Sequence, residues 1–495
     1  MFESAELNHK ISKKTYDTEV PALRVDLLNA QYDLSLKAAF PVILLVGGVD
    51  GAGKSETVNL LNEWMDPRFI QAHAMGAPSD EESERPRMWR FWRELPPKGR
   101  IGVFFGSWYS SPIVQRVMGK TKASQLAQSI DQINRFEKML TDEGALIIKF
   151  WFHLSKDTQK VRLKVLEKDP KTRWRVTDTD WERFKLYDKF RKVSEHMLRE
   201  TSTAEAPWIV VEGTDPRYRG LTVGKILLEA VRKRLDQPAA VVSNAKFAPL
   251  KAPIDKLDIF DTLDMEQKIP KKIFDSELEK YQGKLNLLTR HPKFKKMSVI
   301  AVFEGSDAGG KGGAIRRITA ALDARHYRII PIAAPTEEER AQPYLWRFWR
   351  HIPRTGGVTI FDRSWYGRVL VERVEKYCSE QDWMRAYTEI NDFEEQLIDN
   401  NTVLVKFWLA ITKEEQLRRF KEREKIGFKR FKITDDDWRN REKWDDYEHA
   451  VCDTVDRTST EIAPWVIVEA NDKNFARIKI LKTLCQQIES AIKKK

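Results

Sequence analysis

Lys311 ends a glycine-rich run, Gly305-Ser306-Asp307-Ala308-Gly309-Gly310-Lys311-Gly312, of the kind that holds phosphate. Glycines let successive backbone N–H groups face one anion, and the lysine adds a mobile positive charge. Asp307 sits among those amides, where a carboxylate is unfavourable unless a cation lies between it and the phosphates. Metal ligation by Asp307 is the expectation, and an Asx-type cap of the turn is the competing reading. Farther along, Asp362 and Arg363 follow the apolar run 358–361. That spacing puts Asp362 at the carboxyl end of a buried strand, on the edge where α/β sheets bind ligands. An aspartate there holds Mg²⁺ opposite a phosphate loop, and the adjacent arginine can neutralise a transferring phosphoryl group. A structural ion pair between Asp362 and Arg363 is the alternative. Asp307, Lys311, Asp362 and Arg363 therefore read as a phosphoryl-transfer site. Asp307 and Asp362 would be its Mg²⁺ ligands, and Gly309, Gly310 and Gly312 its phosphate cradle.

A second loop, Gly48-Val49-Asp50-Gly51-Ala52-Gly53-Lys54-Ser55, stands earlier in the chain. The offset from Lys54 to Lys311 also relates Trp89 to Trp346, Lys149 to Lys406 and Trp208 to Trp465, so a whole domain is duplicated. The first loop matches the full phosphate-loop pattern through Ser55, whereas the second has Gly312 where a hydroxyl usually meets Mg²⁺. Yet Asp362 and Arg363 are replaced in the first half by Phe105 and Gly106, and Gly312-Gly313 by Ser55-Glu56. Phenylalanine cannot ligate a metal, and glycine cannot neutralise phosphate charge. Asp50 and Lys54 are thus expected to mark a degenerate site, with chemistry confined to the second half. For either loop, a glycine-rich turn without ligand is the reading to beat.

The elements that must position these residues follow from hydropathy. Apolar, β-branched runs at 41–46, 69–73, 101–105, 145–152 and 208–211 recur at 298–303, 327–332, 358–361, 402–409 and 465–468. Long helical patterns separate them, which indicates βαβ units and parallel sheets buried on both faces. Helices are expected at 23–36 and 276–289, ahead of each first strand. The fold class is α/β: two tandem three-layer α/β/α domains with parallel sheets. The domains are placed at 1–240 and 261–495, with a proline- and alanine-rich linker at 241–260.

Hydrophobic residues at 41% with 11% aromatics exclude a disordered chain. No apolar run reaches the roughly 18–20 residues that span a bilayer. The amino terminus lacks a basic-then-apolar signal pattern, and the three cysteines, Cys378, Cys452 and Cys485, build no disulfide framework. A cytoplasmic protein with no membrane partner is expected. The net charge of +12 favours a polyanionic partner, although a merely solvated basic surface is equally compatible. No nucleic-acid-binding module is recognisable, so no specific nucleic acid is expected.

The block Tyr344-Leu-Trp346-Arg347-Phe348-Trp349-Arg350 resembles the polyphosphate kinase 2 family, as do the run from Phe361 to Arg373, Lys406-Phe407-Trp408-Leu409 and Ala463-Pro464-Trp465. The resemblance covers most of each half, and the tandem arrangement is similar to that of two-domain members. It implies a P-loop kinase fold, Mg²⁺ dependence, a mobile helical lid, and phosphorylation of AMP to ADP by inorganic polyphosphate. Polyphosphate-dependent phosphorylation of ADP or GDP is the alternative; an ATP-dependent nucleotide kinase or a nucleic-acid-binding P-loop protein is more distant. It also makes Gly312 a family feature, and it allows a homodimer of the whole chain. The basic segment 417–432 fits the lid, with Lys429, Arg430 and Lys432 as phosphate ligands beyond Gly427. A solvated helix face laced with i,i+4 pairs is the other reading of its first part. Arg347 and Arg350 share a helical face and, with Arg373, are phosphate-clamp candidates. Trp346, Phe348 and Trp349 are expected in the core, and Asp435-Asp436-Asp437 at a helix N-terminus.

Overall fold

The computed structural model describes residues 1–237, 259–427 and 433–494. Most of the expected linker and the lid residues Lys429, Arg430 and Lys432 lie outside the described residues. Ten strands form on the ten apolar runs. They are β1 (Val42–Gly48), β2 (Ile70–Ala74), β3 (Ile101–Phe105), β4 (Leu146–His153) and β5 (Trp208–Glu212) in the first half. Their counterparts are β6 (Ser298–Gly305), β7 (Tyr327–Pro331), β8 (Val358–Asp362), β9 (Thr402–Ala410) and β10 (Trp465–Glu469). Each sheet is five-stranded, in the order β2-β3-β1-β4-β5 and its equivalent β7-β8-β6-β9-β10, with every ladder parallel. The first strand of each half lies between strands reached in opposite directions. That is the switch point at whose carboxyl end α/β sheets bind ligands.

The residues group into two compact units. One holds Met1–Pro78, the chain from Arg90 through the helix Pro216–Asp236, and Pro335–Trp346. The other holds Ser79–Trp89, residues 259–334, and the chain from Arg347 onward. In the first unit the helices Lys13–Lys37 and Pro216–Asp236 bury Leu27, Leu34, Leu227 and Val231 against Val42, Leu44 and Val46 of β1. In the second, the helices Lys271–Arg290 and Lys473–Lys494 do the same with Leu285, Leu481 and Leu484 against β6. Each such side chain contributes roughly 1.5–3 kcal/mol of burial. Of the four edge strands, β2 and β7 depart from the expected two-sided burial: Gln71, Ala72, Arg328 and Ile329 are exposed, whereas β5 and β10 have no exposed residue.

The opposite sheet face carries a buried ion pair in each half. Alternation along β9 turns Val405 and Phe407 to the core just described and Lys406 away from it, toward the helix Glu380–Asp399. The Lys406 ammonium donates to Glu394 Oε2 at 2.7 Å, the Tyr366 hydroxyl at 2.9 Å and the Thr458 carbonyl at 2.7 Å. Tyr366 and Trp365 both donate to Glu394 Oε1, at 2.6 and 3.0 Å. Burial pushes the lysine down and the carboxyl up, and their contact opposes both shifts. Lys149, Glu137, Tyr109, Trp108 and Thr201 repeat the arrangement in the first half. A network present in both halves, whatever their chemistry, belongs to the fold. None of the described helices is long and apolar enough to cross a membrane.

Candidate active site

β6 ends at Gly305, whose φ of +141° and 2.5 Å approach of a hypothetical Cβ to the Leu409 carbonyl oxygen leave room for glycine alone. The loop then turns into the helix Lys311–Thr319 through Gly310 as its left-handed N-cap. Gly309 and Gly312 flank this start, and a Cβ at Gly312 would meet nothing within 4 Å, so the helix N-terminus is open there. Lys311 folds back over the loop and donates to the Gly305 carbonyl at 2.6 Å. Burial pushes its pKa down, and the neighbouring Arg363 pushes it the same way.

Asp307 gathers the site. Its Oδ1 accepts from Arg363 at 2.8 Å and its Oδ2 from Asn440 Nδ2 at 2.8 Å, with the Tyr447 hydroxyl donating to Asn440 Oδ1 at 3.2 Å. Neither oxygen accepts a loop amide, so the Asx-type cap does not form. Asp362 ends β8 one strand over, in register with Phe303 of β6. Arg363 pairs with Asp307 rather than with Asp362, and no described residue donates to the Asp362 carboxylate. Arg363 also holds a left-handed backbone, φ +64°, and Ala308 in the loop another, φ +62°. Non-glycine residues persist in such conformations where surrounding structure enforces them, characteristically at functional sites.

Three supporting residues were not singled out from the sequence. Asn440 belongs to the helix Asp435–Glu442, which begins with a capping box at the acidic run as expected. Gln416 donates to the Asp307 carbonyl at 3.1 Å. Arg419 is buried and donates to the carbonyls of Ala308, Gly309, Ala470 and Asn471, binding the loop to the end of β10. The helix Lys413–Glu424 thus serves the loop through its buried side, while Arg418 makes the i,i+3 and i,i+4 pairs of a solvated face with Glu415 and Glu422. Of the clamp candidates, Arg347 is buried and donates to the Ala333 carbonyl at 2.9 Å, and Arg350 is exposed. Arg373 is committed to Asp453 at 2.7 Å, to the Tyr387 hydroxyl and to the Trp383 face, and is not brought to Asp307. Trp346, Phe348 and Trp349 are in the core.

The polyphosphate kinase 2 (PPK2) family model matches residues 10–238 and again 268–495. The chain belongs to the polyphosphate kinase 2 family. It is 58% identical over 494 residues, covering 100% of both chains, to the polyphosphate:AMP phosphotransferase of Pseudomonas aeruginosa. It is 38% identical to that of Acinetobacter johnsonii, over 94% of this chain and 96% of the relative. The GDP-polyphosphate phosphotransferase of Mycobacterium tuberculosis is 36% identical over 46% of this chain and 76% of its own. A crystal structure of the Pseudomonas aeruginosa protein assigned to polyphosphate kinase 2 superposes with a TM-score of 0.90 at 56% identity, covering 100% of both chains.

The first polyphosphate kinase 2 repeat shows what its own loop has become. Lys54 still donates to the Gly48 and Val49 carbonyls, at 2.8 and 2.7 Å. Asp50 lies 3.7 Å from Lys54 and from Arg183, which stands where the second repeat has Asn440. Glu56, at the position of Gly313, receives Arg219 at 2.7 Å and Arg162 and Arg175 at 3.4 Å. A carboxylate of the chain itself draws the guanidiniums beside this loop. Where the second repeat strains Ala308 and Arg363, the first has Gly51 and Gly106, both at φ +79°. The same exchange recurs at Lys376 and Asn401, which face Gly119 and Gly144.

Proposed function

We propose that the chain transfers the terminal phosphoryl group of inorganic polyphosphate to AMP, forming ADP, and that the second half performs the chemistry. Coverage carries this reading: relatives matched over nearly the whole chain are polyphosphate:AMP phosphotransferases, whereas those named for GDP or ADP match less than half of it. An oxygen of the AMP phosphate bonds to the terminal phosphorus as the anhydride bond behind it breaks, and the chain leaves one phosphate shorter. The attacking oxygen is already anionic and the bridging oxygen departs as a stable phosphate anion, so no general base or acid is required. The loop amides and Lys311 orient the donor, Arg363 neutralises charge on the group in flight, and Arg419 and Gln416 keep the loop in place.

The donor set suits Mg²⁺: Asp307 and Asp362 offer hard carboxylate oxygens beside a phosphate cradle, and Asp362 is committed to no described donor. Bound there, the ion would neutralise charge on the phosphate oxygens. Arg363 and Asn440 each take one lone pair of an Asp307 oxygen, which leaves a second lone pair on each oxygen for a cation. The free thiols Cys378, Cys452 and Cys485 accord with a reducing cytoplasm.

Incubation with Mg²⁺, AMP and polyphosphate, without ATP, should yield ADP; its absence sinks the reading. Asp362→Ala is expected to lower kcat by at least about 10³-fold. Asp50→Ala should leave most of the rate, because its half has Phe105 and Gly106 at the partner positions. Comparable losses from the two would refute the assignment of catalysis to the second half.

A further inference from the structure

Glu304 is the last residue of β6 before Gly305, and its side chain is buried at the catalytic edge of the sheet, with 6% of the residue exposed. Its Oε1 accepts the Ser364 hydroxyl at 2.8 Å. Ser364 is itself buried, and its Oγ accepts the Tyr366 amide at 3.3 Å, capping the turn Trp365–Arg368 that follows Asp362 and Arg363. The carboxylate therefore ties the end of β6 to the turn carrying both catalytic candidates of β8. Burial pushes the Glu304 carboxyl up, opposed first by the Lys311 charge, and Glu304 in turn opposes the downward push of burial at Lys311 and at Arg363.

The duplicated half is an internal control for what such a carboxylate is for. A deeply buried ion pair of the fold occurs in both halves: Lys406 with Glu394 and Lys149 with Glu137. Asp362 and Arg363 occur in one, facing Phe105 and Gly106. Glu304 follows the second pattern, because Gly47 stands in its place although Ser107 is retained opposite Ser364. The same sheet folds without this buried acid, and a buried carboxylate carries a desolvation penalty of several kcal/mol. Folding does not account for its presence.

We infer that Glu304 is a positioning residue of the phosphoryl-transfer site, holding the Asp362–Ser364 turn through its buried hydrogen bond from Ser364. This rests on the reaction proposed above. Misplacing a reacting constellation by about 1 Å can lower the rate on the order of 100-fold.

Three full-length variants test it beside the wild type, with kcat and KM for AMP, the dissociation constant for polyphosphate, and Tm measured on each. Glu304→Gln keeps an acceptor for Ser364 but replaces the charge-assisted hydrogen bond with a neutral one of about half the strength. Its kcat should fall about 10- to 100-fold, with KM for AMP within about twofold and Tm unchanged or higher. Glu304→Ala loses the tether too and should fall further, while Glu304→Asp, which keeps the charge, should recover part of the Gln variant's loss. The inference is overturned if the Gln variant keeps wild-type kcat, if the Asp variant is no better than the Gln variant, or if the loss follows a fall in Tm. A wild type that makes no ADP from polyphosphate overturns the reaction instead. In that case the dissociation constants still show whether Glu304 shapes the anion site: a change of threefold or more in the Gln variant at unchanged Tm upholds a positioning role there, and no change removes it.

Discussion

Arg363→Gly should silence the enzyme and leave the fold about as stable as the wild type, or slightly more so. Arginines that neutralise the group in flight contribute 10³–10⁵ in rate to related phosphoryl transfers, so a fall in kcat of about 10³-fold or more is expected. Stability moves differently, because Arg363 holds φ +64°. Left-handed backbone costs a non-glycine residue roughly 1–2 kcal/mol, which glycine recovers. Against that stand about 0.5–1 kcal/mol of extra unfolded-state entropy and the pair between half-exposed Arg363 and the more buried Asp307, worth about 1 kcal/mol because Asn440 still holds the carboxylate. The terms nearly cancel. Arg363→Ala is the informative companion: it should lose the same activity but keep the strain, and so be less stable than the glycine variant. Denaturant midpoints and steady-state rates on the two variants decide the matter. A glycine variant destabilised by more than about 2 kcal/mol would show that Arg363 supports the fold and is not strained by it.

Lys406→Met should have the largest effect on stability. It leaves the Glu394 carboxylate, with 2% of its side chain exposed, buried among Tyr366 and Trp365 without its cation. Removing one partner of a buried pair costs about 3–5 kcal/mol, enough to unfold a marginal domain. Removing both is another matter, since apolar replacements of similar volume are often neutral or stabilising. Lys406→Met with Glu394→Leu should therefore recover most of the loss, read as the shift in urea midpoint. Lys149→Met should act with similar size in the first half, because its contacts repeat those of Lys406. A Lys406→Met loss below about 1 kcal/mol would mean that Glu394 is protonated or reached by water.

Much of this was legible from the sequence because it depends on neighbours along the chain. Strands appear where apolar runs are continuous, the glycines of the loop are dictated by local backbone, and Asp362 follows from being last on its strand. Asn440 was not legible: it meets Asp307 across 133 residues, from a segment whose composition advertises only a helix start. Arg419 was hidden in another way, since it lies in a basic run that reads as a solvated face, and only the folded helix shows which arginine turns inward. Arg373 shows the converse. Its motif is specific, yet Asp453, Tyr387 and Trp383 hold it elsewhere, and all three stand on helices distant in the chain from the phosphate loop. Glu304 could have been found, because aligning the halves sets it against Gly47 just as it sets Arg363 against Gly106.

The glycines of the first half would also make the loss of chemistry proposed for it a ratchet. A Cβ at Gly106 would lie 2.7 Å from the Met75 carbonyl oxygen, and one at Gly47 would lie 3.0 Å from the Trp151 ring. Arg219 presses on the loop so closely that a Cβ at Gly53 would fall 2.1 Å from its guanidinium carbon. Backbone and side chains stand close to where a Cβ at Gly47 or Gly106, the positions aligned with Glu304 and Arg363, would lie. Writing the missing residues back at 47, 105 and 106 would reintroduce side chains without the space they once had. Reviving the first half would require rebuilding its floor before its chemistry.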